Sequence, residues 1–182
     1  MASDYSTNLL KRVVDSSNAS NWDAAVDEWE ITDWEEDEDA ETSCICGKEN
    51  IRYLYTITNT ENGNVLKPIG SQCIKKFKRS TLNQKTALYE SLFKLRRAIQ
   101  SNKFIELKST FFSRALLKYL DEQDVFKPNN FNKWDGHADY LFLLKMFNKR
   151  DKTSISNKQQ RKITALILND IFPYLQDNFK DK

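Results

Sequence analysis

The sequence predicts an α+β fold, in which a small two-stranded β-hairpin module packs on a mainly helical bundle. Gly and Pro number only 4 and 3 among 182 residues, which favours helices over a many-turned β-sandwich. One short segment is rich in β-branched and aromatic residues and contains an Asn-Gly turn signal, whereas later segments repeat apolar residues at helical spacing. A chain of this length can bury one ordinary core, or a core plus a small satellite.

The N-terminal part, residues 1–41, is predicted to be an acidic extension that contains one short helix. Its first 20 residues are rich in Ser, Asn and Asp and predict a loosely ordered lead. Asp33–Glu41 is almost without apolar side chains and predicts a solvated linker or tail. Between these segments, spacings of three and four residues predict the short helix, with Ser20 or Asn21 as its cap and one apolar face formed by Trp22, Ala25, Val26 and Trp29.

The hairpin module is predicted over residues 42–80. Ile51–Thr58 is β-branched and aromatic and predicts a strand. Asn62-Gly63 supplies the positive backbone angles of a tight turn, so Val65–Ile69 is the returning strand, and Pro68 suggests that this strand lies at an edge. Ser71 then caps a short helix.

Residues 81–182 are predicted to form the helical bundle. "HADYLFLLKMF" is apolar nearly all round, so we expect it at the centre of the core, and "VFKPNNFNKWDG" before it predicts a turn-rich connector. Pro173 should kink or end the last helix. The other helices are predicted from three apolar stripes: Leu88, Leu92, Leu95 and Ile99; Phe112, Ala115, Leu116, Tyr119 and Leu120; and Ile163, Leu166, Ile167 and Ile171.

All three cysteines of the chain lie in the hairpin module, in an order that predicts a zinc site. A tight turn that ends at Gly47 can aim Cys44 and Cys46 at one point, and the hairpin then returns the chain to Cys73 at a helix start, where the helix dipole stabilises a thiolate. This is the order of parts in a treble-clef zinc site, and zinc accepts sulfur ligands in tetrahedral geometry. We therefore predict a structural Zn²⁺ that staples the hairpin.

The fourth zinc ligand does not follow from the spacing. The first two cysteines have one residue between them where zinc knuckles usually have two, and Lys76 occupies the position three residues after Cys73. We assign His137, the only histidine, as the fourth ligand, with Glu41, Glu49 or water as the alternatives. Ordinary buried or free thiols are the competing interpretation of the cysteines, and a capping or exposed side chain is that of the histidine.

The same segment, "CICGKENIRYLYTITNTENGNVLKPIGSQCIKKF", resembles a pattern of small proteins from phages and mobile elements of low-GC bacteria. The shared features are CxCG, an aromatic strand, "PIGSxCI" and a terminal "KF", over about a fifth of the chain. Some small phage proteins of this size and zinc content are anti-CRISPR proteins, which prevent a CRISPR effector nuclease from loading its target DNA. The resemblance thus implies that the chain is a protein inhibitor.

The charge of the chain is strongly asymmetric. Residues 1–41 carry 13 acidic residues against 2 basic ones, whereas residues 42–182 have a net charge of +13. Carboxylates beside stacking rings can imitate a nucleic-acid strand and occupy a basic channel of another protein. The alternative is a disordered tail that covers the basic face of the same chain. The predicted partner-binding residues are Trp29, Asp33, Trp34, Glu35, Glu36, Asp37, Glu38 and Asp39.

A basic segment follows the third cysteine. "IKKFKRS" places Lys75, Lys76, Lys78 and Arg79 around Phe77, and cations beside an aromatic ring can hold nucleic-acid phosphates. The alternative function is therefore a nucleic-acid-binding accessory protein of a phage or plasmid. A solvated basic surface is the interpretation without a ligand.

The sequence favours a binding protein over an enzyme. It has no GxxxxGK[ST], GxSxG or HExxH motif, and a single histidine excludes most acid–base constellations. Without a secretion pattern or an apolar run of roughly 20 residues, we expect the host bacterial cytoplasm as its location. We hypothesise a non-enzymatic phage or mobile-element protein that inhibits a host CRISPR effector nuclease by protein–protein contact and blocks nucleic-acid loading.

Overall fold

The computed structural model describes residues 4–179 and confirms the α+β class, with one three-stranded antiparallel sheet and a series of helices. The chain divides after Glu90 into two units, and we call residues 1–90 unit 1 and residues 91–179 unit 2. The two units also differ in net charge. Unit 1 has 16 acidic and 10 basic residues, a net charge of −6, whereas unit 2 has 9 acidic and 16 basic residues, a net charge of +7.

Unit 1 contains the whole sheet, and its central strand is the one that the sequence predicts most clearly. The strand order is β1 (Trp29–Glu36), β2 (Tyr53–Asn59) and β3 (Val65–Gly70), so β3 is an edge strand, as Pro68 indicates. Gly63, with a φ of 77°, makes the turn between β2 and β3, which confirms the predicted hairpin. The elements of unit 1 are α1 (Asp4–Asp15), α2 (Trp22–Ala25), a 3-10 turn (Val26–Glu28), β1 (Trp29–Glu36), β2 (Tyr53–Asn59), β3 (Val65–Gly70) and α3 (Ser71–Lys75).

Strand β1 corrects the prediction of a linker or tail. The segment from Trp29 to Glu36 pairs antiparallel with β2, with Ile31 opposite Ile57. The physical reason is period-two burial at the start of the strand, where Trp29 is 0% exposed and Ile31 6% exposed. The ring of Trp34 also stacks on Tyr89 at a centroid distance of 4.1 Å. The first half of the acidic run is therefore an ordered edge strand.

The lead that precedes this strand is also ordered. α1 buries Leu9 and Val13, which lie four residues apart on one face of the helix. Asn21, one of the two residues predicted as the cap, caps α2 by accepting a hydrogen bond from the Ala24 amide at 3.1 Å. The helix is shorter than predicted, because Trp29 lies in β1. The prediction of a loosely ordered N-terminal lead is therefore wrong for the described part, residues 4–20.

Unit 2 is helical, and one helical prediction needs correction. Leu141 on α6 (Gly136–Asn148) is 50% exposed, so this apolar helix is not buried all round. Pro173 lies in the first turn of α8 (Phe172–Asn178), where its missing N–H is tolerated, and a π-helical turn (Ile167–Ile171) precedes it. α4 (Ser80–Gln100) begins in unit 1 and ends in unit 2, and the others are α5 (Arg114–Glu122), α6 (Gly136–Asn148), α7 (Asn157–Leu166) and α8 (Phe172–Asn178), with 3-10 turns at Asn130–Asn132 and Lys152–Ser154.

Within residues 4–179, no helix combines the length and the apolar character that crossing a membrane requires.

Candidate metal centre

The first two cysteines lie in a tight turn that is tied to the sheet. The Gly47 amide donates to the Cys44 carbonyl at 2.8 Å, and Gly47 has a φ of 94°, a left-handed conformation that glycine adopts without a steric penalty. The Ile45 amide donates to the carbonyl of Pro68 on β3 at 3.0 Å, which fixes the turn beside the edge strand. α1 adds a further contact, from Asn8 Nδ2 to the Cys46 carbonyl at 3.2 Å.

The third cysteine completes a buried cluster. Cys73 lies in α3, directly after β3, and its Sγ is 3.7 Å from the Sγ of Cys44 and 3.4 Å from that of Cys46. The three side chains are 4%, 1% and 5% exposed in chain order, and none forms a disulfide. The predicted convergence of the three thiols is confirmed.

The cluster fits a tetrahedral zinc ion. Zn–S bonds of about 2.3 Å in a tetrahedron place neighbouring sulfurs about 3.8 Å apart, close to the separations found here. The Gly70 amide also points at the Cys44 sulfur at 3.4 Å, which adds a donor to a sulfur that would carry negative charge as a thiolate. Three sulfur donors select a soft or borderline cation over Mg²⁺ or Ca²⁺. The donor set therefore suits Zn²⁺.

The thiols perturb one another because they share a buried site. The contact between the sulfurs of Cys44 and Cys73 lowers the pKa of Cys44 well below its ordinary value. The same contact, together with burial, raises the pKa of Cys73. A divalent cation would remove this competition, because it stabilises all three thiolates at once.

A cavity of about 280 Å³ opens beside Cys44 and Cys73, and sequence reasoning did not predict it. Three cations line it: Lys48 from the cysteine turn, Arg52 before β2 and Lys75 at the end of α3. Among residues 4–179, no His, Asp or Glu joins the thiol cluster as a fourth donor. Of the predicted alternatives for the fourth ligand, water is compatible with this arrangement.

The structure does not group His137, the predicted fourth ligand, with the three thiols. This histidine lies in the first turn of α6, and its Nδ1 is 2.8 Å from the Asp121 carboxylate. The side chain is 56% exposed, which agrees with the capping or exposed interpretation of this histidine. Glu41 and Glu49 are also outside the cluster, and both are exposed.

The residues predicted to bind a partner form two groups, one buried or half-buried and one exposed. Trp29, Glu36 and Asp37 are buried, and Trp34 is half-buried. Asp37 is a turn residue, since its Oδ2 accepts hydrogen bonds from the Glu41 amide at 3.2 Å and from the amide and hydroxyl of Thr42 at 3.0 and 2.5 Å. The residues of the set that face solvent are Asp33, Glu35, Glu38 and Asp39.

The basic segment after Cys73 is also divided. Arg79 pairs with Glu30 at 2.5 Å and donates to the Trp29 carbonyl, and Lys76 donates to the hydroxyl of Ser6 on α1 at 2.7 Å. Lys75 and Lys78 are exposed. Two of the four cations predicted to hold phosphates therefore have partners within unit 1.

Comparison of the chain with protein-family models, with curated proteins and with solved structures found no match.

Proposed function

We propose that this chain is a non-enzymatic binding protein whose metal-stapled sheet docks on a basic surface of another protein. The observation that carries the proposal is the row of four exposed carboxylates at the end of β1 and in the turn after it. These are Asp33, Glu35, Glu38 and Asp39, and we call them the acidic edge.

The acidic edge is held in place before any partner arrives. Within the same segment Trp29 is fully buried and Asp37 fixes the turn, so the exposed carboxylates have defined positions. A preformed charged surface avoids the entropic cost of ordering a tail upon binding. Fixed charges of one sign also steer a partner of opposite charge and raise its association rate. This arrangement supports a docking surface better than the predicted disordered tail would.

The partner class that we favour is a nucleic-acid-guided nuclease, because its nucleic-acid channel must be basic. The resemblance of the cysteine segment to phage and mobile-element proteins directs the proposal to a host CRISPR effector. Carboxylates of the acidic edge would take the positions of phosphates, so that target DNA cannot load. The zinc ion would have a structural role in this function and would perform no chemistry.

The test is a DNA-cleavage assay with purified, guide-loaded effectors from low-GC bacteria. We expect the chain to inhibit at least one of them in competition with target DNA. Changing the four acidic-edge residues to their amides should slow association by about 10- to 1000-fold, because steering is lost. The matched control removes four exposed carboxylates from elsewhere in unit 1, through Asp15→Asn, Asp23→Asn, Glu49→Gln and Glu61→Gln. Equal inhibition by the acidic-edge variant and the control would contradict this docking surface.

A further inference from the structure

The connector before α6 presents an aromatic ring to solvent on a rigid turn. Phe131 is 95% exposed, although exposing a large apolar side chain to water is unfavourable in free energy. The turn is not loose. The side chain of Asn129 accepts from the amides of Phe131 and Asn132 at 2.8 and 3.2 Å, and the Asn132 side chain accepts from the Asn129 amide at 2.8 Å. The ring therefore stands on a fixed support.

Buried polar contacts anchor this support to α6. Asn132 is 5% exposed, and its Nδ2 donates to the Lys127 carbonyl at 2.9 Å and to the Asp139 carboxylate at 2.7 Å. Asp139 is 2% exposed, and its other oxygen lies 2.6 Å from the ammonium of Lys162 on α7. The position of the Phe131 turn is thus set by a compensated polar network in the interior of unit 2.

A cleft of about 820 Å³ lies between this turn and α7. Its volume is in the range of ligand-binding sites. Lys158 and Arg161 line it, are exposed, and form no ion pair with any of residues 4–179. They stand three residues apart on α7, which places both cations on the same helix face.

The carboxylates that line the cleft only partly offset this positive charge. Three cations, Lys158, Arg161 and Lys162, line it together with two carboxylates, Asp139 and Asp170. Lys162 pairs with Asp139, which leaves two cations beside the single carboxylate of Asp170. The cleft also belongs to the unit whose net charge is +7, so an anionic ligand meets a favourable field.

We propose that this cleft of unit 2 binds single-stranded nucleic acid, with a base stacked on Phe131 and phosphates held by Lys158 and Arg161. Sequence-tolerant binding of a single strand has two components: cations along the nucleic-acid backbone and an exposed aromatic ring on which a base can stack. Duplex is a poorer ligand because its base faces are already stacked. The site differs from the basic segment that we predicted in unit 1, and it depends on neither the metal centre nor the acidic edge.

The test is fluorescence anisotropy with labelled oligo-dT and oligo-rU at several salt concentrations, on the full chain. We expect binding at about 50 mM salt that weakens steeply as salt rises. Phe131→Ala should weaken it by about 5- to 140-fold with an unchanged salt slope, because stacking is lost and phosphate contacts remain. Replacing both Lys158 and Arg161 by Ala should reduce the slope of log K against log salt by about 1.4.

Matched controls are available within unit 2. Phe104 is 74% exposed and lies outside this cleft, so Phe104→Ala should bind as the wild type does. Lys103 and Lys145 are exposed and also lie outside it, so their double replacement by Ala should leave the salt slope unchanged. The proposal is overturned by any of four results: no binding at low salt, wild-type affinity of the Phe131 variant, equal effects of the control and cleft variants, or equal competition by duplex.

Discussion

Removal of one cysteine tests the candidate metal centre, and Cys73 is the informative one. Its sulfur lies within 3.7 Å of both other sulfurs, so Cys73→Ser leaves at most two thiolates for the metal. We expect wild-type protein to carry about one zinc per chain and the variant to carry none, since zinc at structural sites is held by four ligands and depends on the full set.

The effect on stability follows from mass action. A zinc concentration 100 times the dissociation constant stabilises the folded state by about 2.7 kcal/mol. Unit 1 has 90 residues, a size at which each kcal/mol shifts the melting temperature by roughly 4 to 8 °C. Loss of the metal should therefore lower the melting temperature of unit 1 by about 11 to 22 °C.

The assay combines metal analysis by mass spectrometry with calorimetric melting, with and without a chelator. The variant is its own control, because a chelator should destabilise the wild type and leave Cys73→Ser unchanged. Wild-type protein that holds no metal after exposure to zinc, and that melts at the same temperature with a chelator, would refute the assignment of the three thiols as ligands.

Two further predictions concern unit 1. Trp29→Ala should lower the free energy of unfolding by about 3–5 kcal/mol in chemical denaturation, because this strand residue is fully buried. The control is Trp134→Ala, at a site in unit 2 that is 69% exposed, which should cost less than about 0.5 kcal/mol. Equal effects of the two substitutions would mean that β1 is not part of the core. Glu28 has a pKa lowered from 4.5, chiefly by the hydrogen bond from Asn59, so its stabilising effect is present above that value and is lost as the pH falls through the folded-state pKa. Glu28→Gln should therefore destabilise the folded protein at pH 7, and its melting temperature should fall less than that of the wild type as the pH is lowered. An equal fall in the two proteins would contradict this role.

The hairpin and the cysteine turn could be predicted because their determinants are local. Asn62-Gly63 selects a tight turn within a few residues, and Gly47 allows the left-handed step that closes the cysteine turn. The N-cap of α2 at Asn21 is a similar local signal. Each of these features depends on neighbouring residues in the sequence, so it can be predicted without knowledge of the tertiary structure.

Strand β1 was missed because its evidence is non-local. Ten of the fifteen residues in Asp27–Glu41 are acidic, and this composition alone predicts a solvated segment. Trp29 and Ile31 show their role only when β2 pairs beside them, with Trp29 opposite Asn59, a residue 30 positions later in the chain. The use of Arg79 as an internal partner of Glu30 is equally invisible in the sequence, since an exposed and a paired cation have the same local pattern.

The sequence by itself determined the helix-rich class, the hairpin and the order of the three thiols, because short-range backbone chemistry and periodicity encode them. Only the tertiary structure decided which carboxylates face solvent, that His137 is bonded to Asp121 outside the thiol cluster, and that Phe131 stands beside a basic cleft. These outcomes depend on contacts between residues distant in the chain. Exposure and pairing are properties of those contacts, and no single segment contains them.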